Sequence, residues 1–139
     1  MAMSTRVDRI DAGVPVTVMA LDGELDASNY LRLVEDVRDL YASGTRDLLI
    51  DLSDLSFIAS SGLVALYSVV QVMNGEEPPD PEYGWSAFRA VGRGVEEGNV
   101  QTAVQLCGPQ PAVAEVLQRT GIDRLFRIHP DRESAVASY

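Results

Sequence analysis

The side chains best suited to chemistry in this 139-residue chain are the adjacent hydroxyls of Ser60 and Ser61, followed by Gly62 and an apolar run from Leu63 to Met73. A serine at a helix start can accept a hydrogen bond from an unpaired first-turn amide, and replacing such a cap costs about 1 kcal/mol. The same position suits a phosphoryl group, because free N–H groups and the positive end of the helix dipole would face it. Phosphorylation there would add about −1.5 to −2 charge and repel a partner docked on that surface. Spacing alone leaves both readings open. Nucleophilic catalysis would need a base, but the one histidine, His129, follows the last expected strand, and no G-x-S-x-G elbow is present. The glycines at 92, 94 and 98 lack dinucleotide-loop spacing and a P-loop lysine, and Glu76-Glu77 and Glu96-Glu97 read as solvated charges. Cys107 and His129 form no Cys/His cluster, so no metal and no cofactor is expected.

The elements that must position Ser60 follow from hydrophobic patterning. Residues 6 to 11 suggest a short edge strand, and Pro15 to Leu21 a buried strand ending at the polar turn Asp22-Gly23. From Asn29 to Ser43, Tyr30, Leu33, Val34, Val37, Leu40 and Tyr41 recur at the spacing of one helix face, with Asp26 or Ser28 as cap and Gly44 as stop. Asp47 to Asp51 reads as a central strand covered by helices on both faces, and Leu52 to Ile58 as a connection anchored by Leu55, Phe57 and Ile58. Ser60-Ser61-Gly62 then opens a helix so apolar that it must be largely buried. Thr102 to Leu106 predicts a strand, Pro111 to Thr120 a helix closed by Gly121, Leu125 to Ile128 a last strand, and Asp131 to Ala137 a short helix. Alternating strands and helices predict an α/β layer structure with a mostly parallel sheet.

Size and charge narrow the function classes. The length suits one compact core, so residues 1–139 are expected to form a single domain. A net charge of −10 argues against nucleic acid, which needs clustered positive charge. No apolar run approaches the roughly 18 residues that span a bilayer, and the first residues lack a signal-peptide centre, so a cytoplasmic protein without membrane insertion is expected. Residues 74 to 100 break the pattern with three prolines, five glycines and the single tryptophan, and read as an inserted segment. Its aromatic residues Tyr83, Trp85 and Phe88 could contact a partner or tuck onto the domain.

The stretch Asp51-Leu-Ser-Asp-Leu-Ser-Phe-Ile-Ala-Ser-Ser-Gly-Leu63 closely resembles the D-L-S-x-L-x-F-[IM]-D-S-S-G-L motif of the STAS family of anti-sigma factor antagonists, also called anti-anti-sigma factors. Gly23-Glu24-Leu25-Asp26 resembles the family's G-E-L-D turn before its first helix, and Pro111-Ala-Val with Leu117, Gly121, Leu125, Phe126 and Ile128 resembles its closing helix, turn and strand. The resemblance implies a STAS-type α/β domain with a small mixed, mostly parallel sheet, its first edge strand antiparallel, and helices packed mainly on one face. It further implies a non-enzymatic regulator that binds an anti-sigma factor acting also as a serine kinase, and that is switched off when the kinase phosphorylates Ser60. Gly23, Glu24, Asp26, Ala59, Ser60, Ser61 and Gly62 would form the partner-binding surface, with Ser61 in a helix-capping role.

Two departures stand out. Ala59 replaces the aspartate that usually precedes the serines, removing a like charge beside a prospective phosphate, and residues 74 to 100 replace a short turn. Both features favour a competing reading, a constitutive STAS subunit or scaffold of a stress-signalling or lipid-transport complex. The oligomeric state is open, a homo-oligomer included.

Overall fold

The computed structural model describes residues 3–76 and 101–139. The segment 77–100, with Tyr83, Trp85, Phe88, the glycines at 92, 94 and 98, and the Glu96-Glu97 pair, lies outside the described residues. Strands β1 (Met3–Asp11) and β2 (Pro15–Leu25) form an antiparallel hairpin whose loop includes Gly13 at φ 87°. Helix α1 (Tyr30–Ala42) leads to β3 (Leu48–Ile58), which passes through Ala59 into α2 (Ser60–Met73). Then follow β4 (Gln101–Cys107), α3 (Pro111–Thr120), a 3-10 turn at Ile122–Arg124, β5 (Phe126–His129) and α4 (Arg132–Val136). The sheet order is β1-β2-β3-β4-β5, with all neighbours parallel except β1 and β2. The expected mixed sheet, antiparallel edge strand and central β3 are all present.

Two expectations need correction. Asp22-Gly23 does not end β2, which runs on to Leu25, and Leu52 to Ile58 is not a connection but the second half of β3. Polar Ser53, Asp54 and Ser56 weaken the strand pattern locally. Across the ladder, however, Asp22 meets Asp54, Gly23 meets Leu55, Glu24 meets Phe57 and Leu25 meets Ile58, which supplies backbone partners to both segments. Register breaks at Ala20/Asp22 and Gly23/Glu24 interrupt strict alternation, so Leu52, Leu55 and Ile58 all turn inward while Phe57 is left 49% exposed. Phe57 is therefore not the apolar anchor expected from its type.

On one face of the sheet, α1 contributes Leu33, Val34 and Val37 and α3 contributes Val113 and Leu117 to the main core. Helix α2 is buried over most of its length, as its uniform apolarity requires, and its buried Ser68 hydroxyl is satisfied by donating to the Val64 carbonyl at 2.8 Å. Helix α3 begins on Pro111 and ends at Gly121, whose φ of 78° closes it with a left-handed residue. The opposite face carries a smaller core of Val16, Val18, Leu49, Cys107 and Ala135, closed by the C-terminal segment. Asp131 caps α4 by accepting from the Ser134 amide at 2.7 Å, and the Tyr139 hydroxyl donates to the Leu48 carbonyl at 3.0 Å.

Asp51 pins this segment to the sheet. Its Oδ2 accepts from Arg132 Nε at 3.2 Å and Nη2 at 2.9 Å, while Oδ1 accepts from the Ser53 amide at 3.0 Å and from the Ser53 hydroxyl. Arg132 Nη1 also lies 3.6 Å from Asp8 on β1. Burial opposes ionisation of Asp51, but the Ser53 and Arg132 bonds outweigh it and hold the carboxyl below its usual range. The neighbouring Cys107 thiol is pushed up to about 12, chiefly by burial, which leaves it a core residue without thiolate character.

At the other side of β3, α2 approaches the end of β2 closely. A Cβ on Gly62 would stand 2.7 Å from Ile58 Cγ1, 2.9 Å from Leu25 Cγ and 3.1 Å from the Leu25 carbonyl oxygen. Gly62→Ala should therefore force the helix off the strand ends and cost about 1–3 kcal/mol in urea unfolding, the typical penalty of overpacking. Arg132→Met should cost about 1–3 kcal/mol at pH 7, since it strips a charged donor from a carboxylate only 11% exposed. Because the folded Asp51 pKa lies below its unfolded value of about 3.9, its contribution is present above that pH and is lost as pH falls through the folded value. Acid titration of stability should accordingly show a smaller loss below about pH 4 in Arg132→Met than in wild type.

Candidate functional site

The Ser60 surface is built by the far ends of β2 and β3. Their pairing carries Gly23 and Glu24 alongside Leu55 and Phe57, and the Ala59 amide then donates to the Leu25 carbonyl at 2.9 Å. Two segments far apart in sequence, Gly23 to Asp26 and Ala59 to Gly62, are thus brought to one end of the sheet.

Ala59 is the N-cap residue of α2, with extended backbone at φ −87° and ψ 171°. Its carbonyl accepts from the Gly62 amide at 2.9 Å and the Leu63 amide at 3.2 Å, but its methyl side chain offers the first turn no acceptor. The helix-capping role expected of Ser61 is not observed: Ser60 and Ser61 are the first helical residues, one position too late to cap, and no side chain caps this helix. Ser60 is exposed, Ser61 half-buried and Gly62 buried. Among the described residues neither serine hydroxyl has a hydrogen-bond partner. The Ser60 hydroxyl therefore faces solvent beside the Ser60 and Ser61 amides, which have no preceding helical carbonyl to bind.

The connection from β2 to α1 forms the rim. Asp26 Oδ1 accepts from the Ser28 amide at 2.9 Å and from the Ser28 hydroxyl, and these bonds, the hydroxyl's first, hold the Asp26 carboxyl below the usual carboxylate range. Asp26 and Ser28 thus organise the turn, and neither caps α1: Asn29 occupies the N-cap position without a side-chain cap bond. Asn29 instead bridges the turn, accepting from the Asp26 amide at 3.0 Å and donating to the Glu24 carbonyl at 2.8 Å. Ser56 donates from its hydroxyl to the Gly23 carbonyl at 3.0 Å, locking the two strand ends together.

The seven residues expected at the site divide by environment. Ser60 is open to solvent, and Gly23, Glu24, Asp26, Ala59 and Ser61 are partly exposed around it. Gly62 is inside and acts through packing. Asn29, Ser56 and Phe57 complete the arrangement; the sequence pattern pointed to neither Asn29 nor Ser56 here, and placed Phe57 in the core. Asn29 does precede a helix, where asparagine is common, but its contact with Glu24 depends on the path of the turn. Phe57 emerges only through the register breaks.

The one histidine is bonded elsewhere than to Ser60. His129 Nε2 lies 2.6 Å from Gln105 Oε1, beneath the C-terminal segment that also contributes Ser138. Among the described residues there is no group of three or more His, Cys, Asp or Glu side chains able to hold a metal ion. The chemistry the geometry offers is a surface hydroxyl next to free amides, an acidic turn and an exposed aromatic ring.

BtrV of Bordetella bronchiseptica, a proposed anti-sigma factor antagonist, is 23% identical over 137 residues, covering 99% of this chain and 95% of that protein. The crystal structure of an anti-sigma factor antagonist from Mycobacterium paratuberculosis superposes with a TM-score of 0.69 at 21% identity, covering 99% of this chain and 93% of the other. The Bacillus cell fate determinant SpoIIAA in its phosphorylated form superposes with a TM-score of 0.59 at 16% identity, covering 97% and 98%. These structural likenesses establish a shared fold. The model of the STAS domain matches residues 6–76, just over half of the chain and including both β2 and the Ser60 helix. On that match and this five-stranded α/β architecture, the chain belongs to the STAS domain family.

Proposed function

We propose that this protein is an anti-sigma factor antagonist, a binding module without catalytic activity that docks an anti-sigma factor through the Ser60 end of its sheet. The observation that carries this reading is the exposed Ser60 hydroxyl, without a hydrogen-bond partner among the described residues, at the sheet end to which β2 and β3 also bring the Gly23 to Asp26 turn and the exposed Phe57. Partner interfaces draw most of their affinity from a few buried aromatic anchors, and Phe57, standing half out of the surface, supplies one. The anti-sigma factor antagonist role named for BtrV and for the Mycobacterium protein agrees with this assignment.

In the finer form of the proposal the anti-sigma factor is also a serine kinase, which transfers the γ-phosphoryl group of ATP to Ser60 Oγ and releases ADP and the hydroxyl proton. SpoIIAA has been seen both unphosphorylated and phosphorylated. The uncapped start of α2 would receive such a group, since its first-turn amides and dipole favour an anion and Ala59 adds no competing carboxylate. Glu24 and Asp26 on the rim supply no cation to neutralise the phosphate. A doubly charged group buried in a contact built around a neutral hydroxyl would cost several kcal/mol, and each ~1.4 kcal/mol is a factor of ten in affinity. No helix among the described residues is long and apolar enough to cross a membrane, and this reading places the protein in the cytoplasm.

Capture of partners from a lysate of the source organism, with wild type, Ser60→Ala and Ser60→Asp as baits, tests the switch. Wild type and Ser60→Ala should retain an anti-sigma kinase, whereas Ser60→Asp should lose it by about tenfold or more. Incubation of the captured kinase with ATP should phosphorylate wild type but not Ser60→Ala, as read by peptide mass. Equal retention of a transporter or scaffold component by all three baits would instead support the constitutive subunit that Ala59 also permits. Phe57→Ala should weaken binding by about tenfold or more with an unchanged unfolding midpoint, because its ring contributes little to the core.

A further inference from the structure

We propose that β1 pairs edge to edge with β1 of a second copy, joining two five-stranded sheets into one. The proposal is independent of the Ser60 surface. Among the described residues β1 pairs only with β2, so its outer edge carries a row of unpaired backbone groups. The edge is nine residues long, runs against β2 without a register break and contains no proline. It therefore lacks the bulges, prolines and shortness that block edge pairing, and its charges, Arg6, Asp8, Arg9 and Asp11, alternate in sign, so they oppose only those registers that set like charges face to face. The opposite edge, β5, has four residues.

Hydrogen-bond direction identifies the residues that would pair. The Thr17 amide donates to the Asp47 carbonyl at 3.0 Å, so the main chain of Thr17 points to β3, and by alternation Val16 and Val18 point to β1. Their partners Ile10 and Asp8 consequently point inward. The amides and carbonyls of Thr5, Val7 and Arg9 are left on the outer edge.

The charge pattern then selects a register. An antiparallel pairing with its two-fold axis at Val7 makes Val7 and the second copy's Val7 a hydrogen-bonded pair, and places Thr5 opposite the second copy's Arg9. On the other face of the sheet the same register sets Arg6 opposite the second copy's Asp8, and Asp8, which also lies 3.6 Å from its own Arg132, opposite the second copy's Arg6. Opposite charges on directly facing residues stabilise such pairs. Centring on Arg9 would set two arginines face to face and turn Val7 toward Asp11, and centring on Thr5 would leave Asp8 to Asp11 unpaired. The Val7 register also covers an apolar side chain that is 43% exposed in the single copy. Directly opposed residues in an antiparallel pair share a face, so the axis is perpendicular to the sheet. The α1 to α3 layers of both copies would lie on one side, and the two Ser60 ends at opposite poles, free to engage two partner molecules.

Sedimentation equilibrium of the full chain over a range of concentrations should show reversible conversion to twice the 15.1 kDa chain mass. Val7→Pro should abolish the dimer yet retain the hairpin, since the lost N–H points away from β2. Arg6→Glu sets two acidic pairs across the axis and should weaken dimerisation by about tenfold or more. Val7→Cys should oxidise to a dimer linked through residue 7, because facing Cα atoms about 5.5 Å apart suit a disulfide. A protein that stays monomeric throughout, or a dimer that Val7→Pro and Arg6→Glu leave unchanged and Val7→Cys fails to link, would overturn the proposal.

Discussion

The contact between Gly62 and the end of β2 governs the placement of everything at the Ser60 pole. With Leu25 Cγ and Ile58 Cγ1 both inside 3.0 Å of where a Cβ would stand, the first turn of α2 keeps this approach without displacing its neighbours because position 62 carries no side chain. That close approach seats the Ala59 amide on the Leu25 carbonyl and leaves Ser60, two residues before the glycine, turned outward. The glycine and the exposed serine are thus two consequences of one packing arrangement: the helix start must lie against the strand ends, and its opposite side must therefore face water.

The two faces of the sheet serve this arrangement differently. The helical face supplies most of the apolar burial, and α2, buried along nearly its whole length, has little freedom to move independently of β3. The other face is smaller and holds its C-terminal segment through directional bonds, chiefly Asp51 to Arg132 and Gln105 to His129 and Ser138. An apolar contact of that size would stabilise without fixing orientation, whereas a carboxylate bonded to a guanidinium and a serine selects one geometry. Asp51 sits on the central strand shortly before the polar stretch that ends in Phe57, so the anchored strand carries the Ser60 end.

At that end an acidic turn, a neutral hydroxyl and an exposed ring stand next to a helix start that no side chain caps. Natural helices usually satisfy these amides with a serine, threonine or aspartate at the N-cap. Here Ala59 occupies that position; its carbonyl takes the Gly62 and Leu63 amides, but it offers no side-chain acceptor to those of Ser60 and Ser61.

Local pattern was enough to specify most of the elements. The helix spacing of Tyr30 to Tyr41, the uniform apolarity of Leu63 to Met73, and the Pro111 to Gly121 punctuation each produced the helix they implied, because periodicity and end signals act within a few residues. The Ser60 motif likewise pointed to its own location. Tertiary structure decided the rest. The polar halves of β2 and β3 became strand only because each found the other as a ladder partner, and the register breaks between them exposed Phe57 and buried Leu55. The choice of Ala59 over either serine as N-cap, and the bridge of Asn29 between Asp26 and Glu24, depend on how the chain crosses from one layer to another. Such contacts join residues distant in sequence and are set by the three-dimensional path of the backbone, which no local pattern encodes.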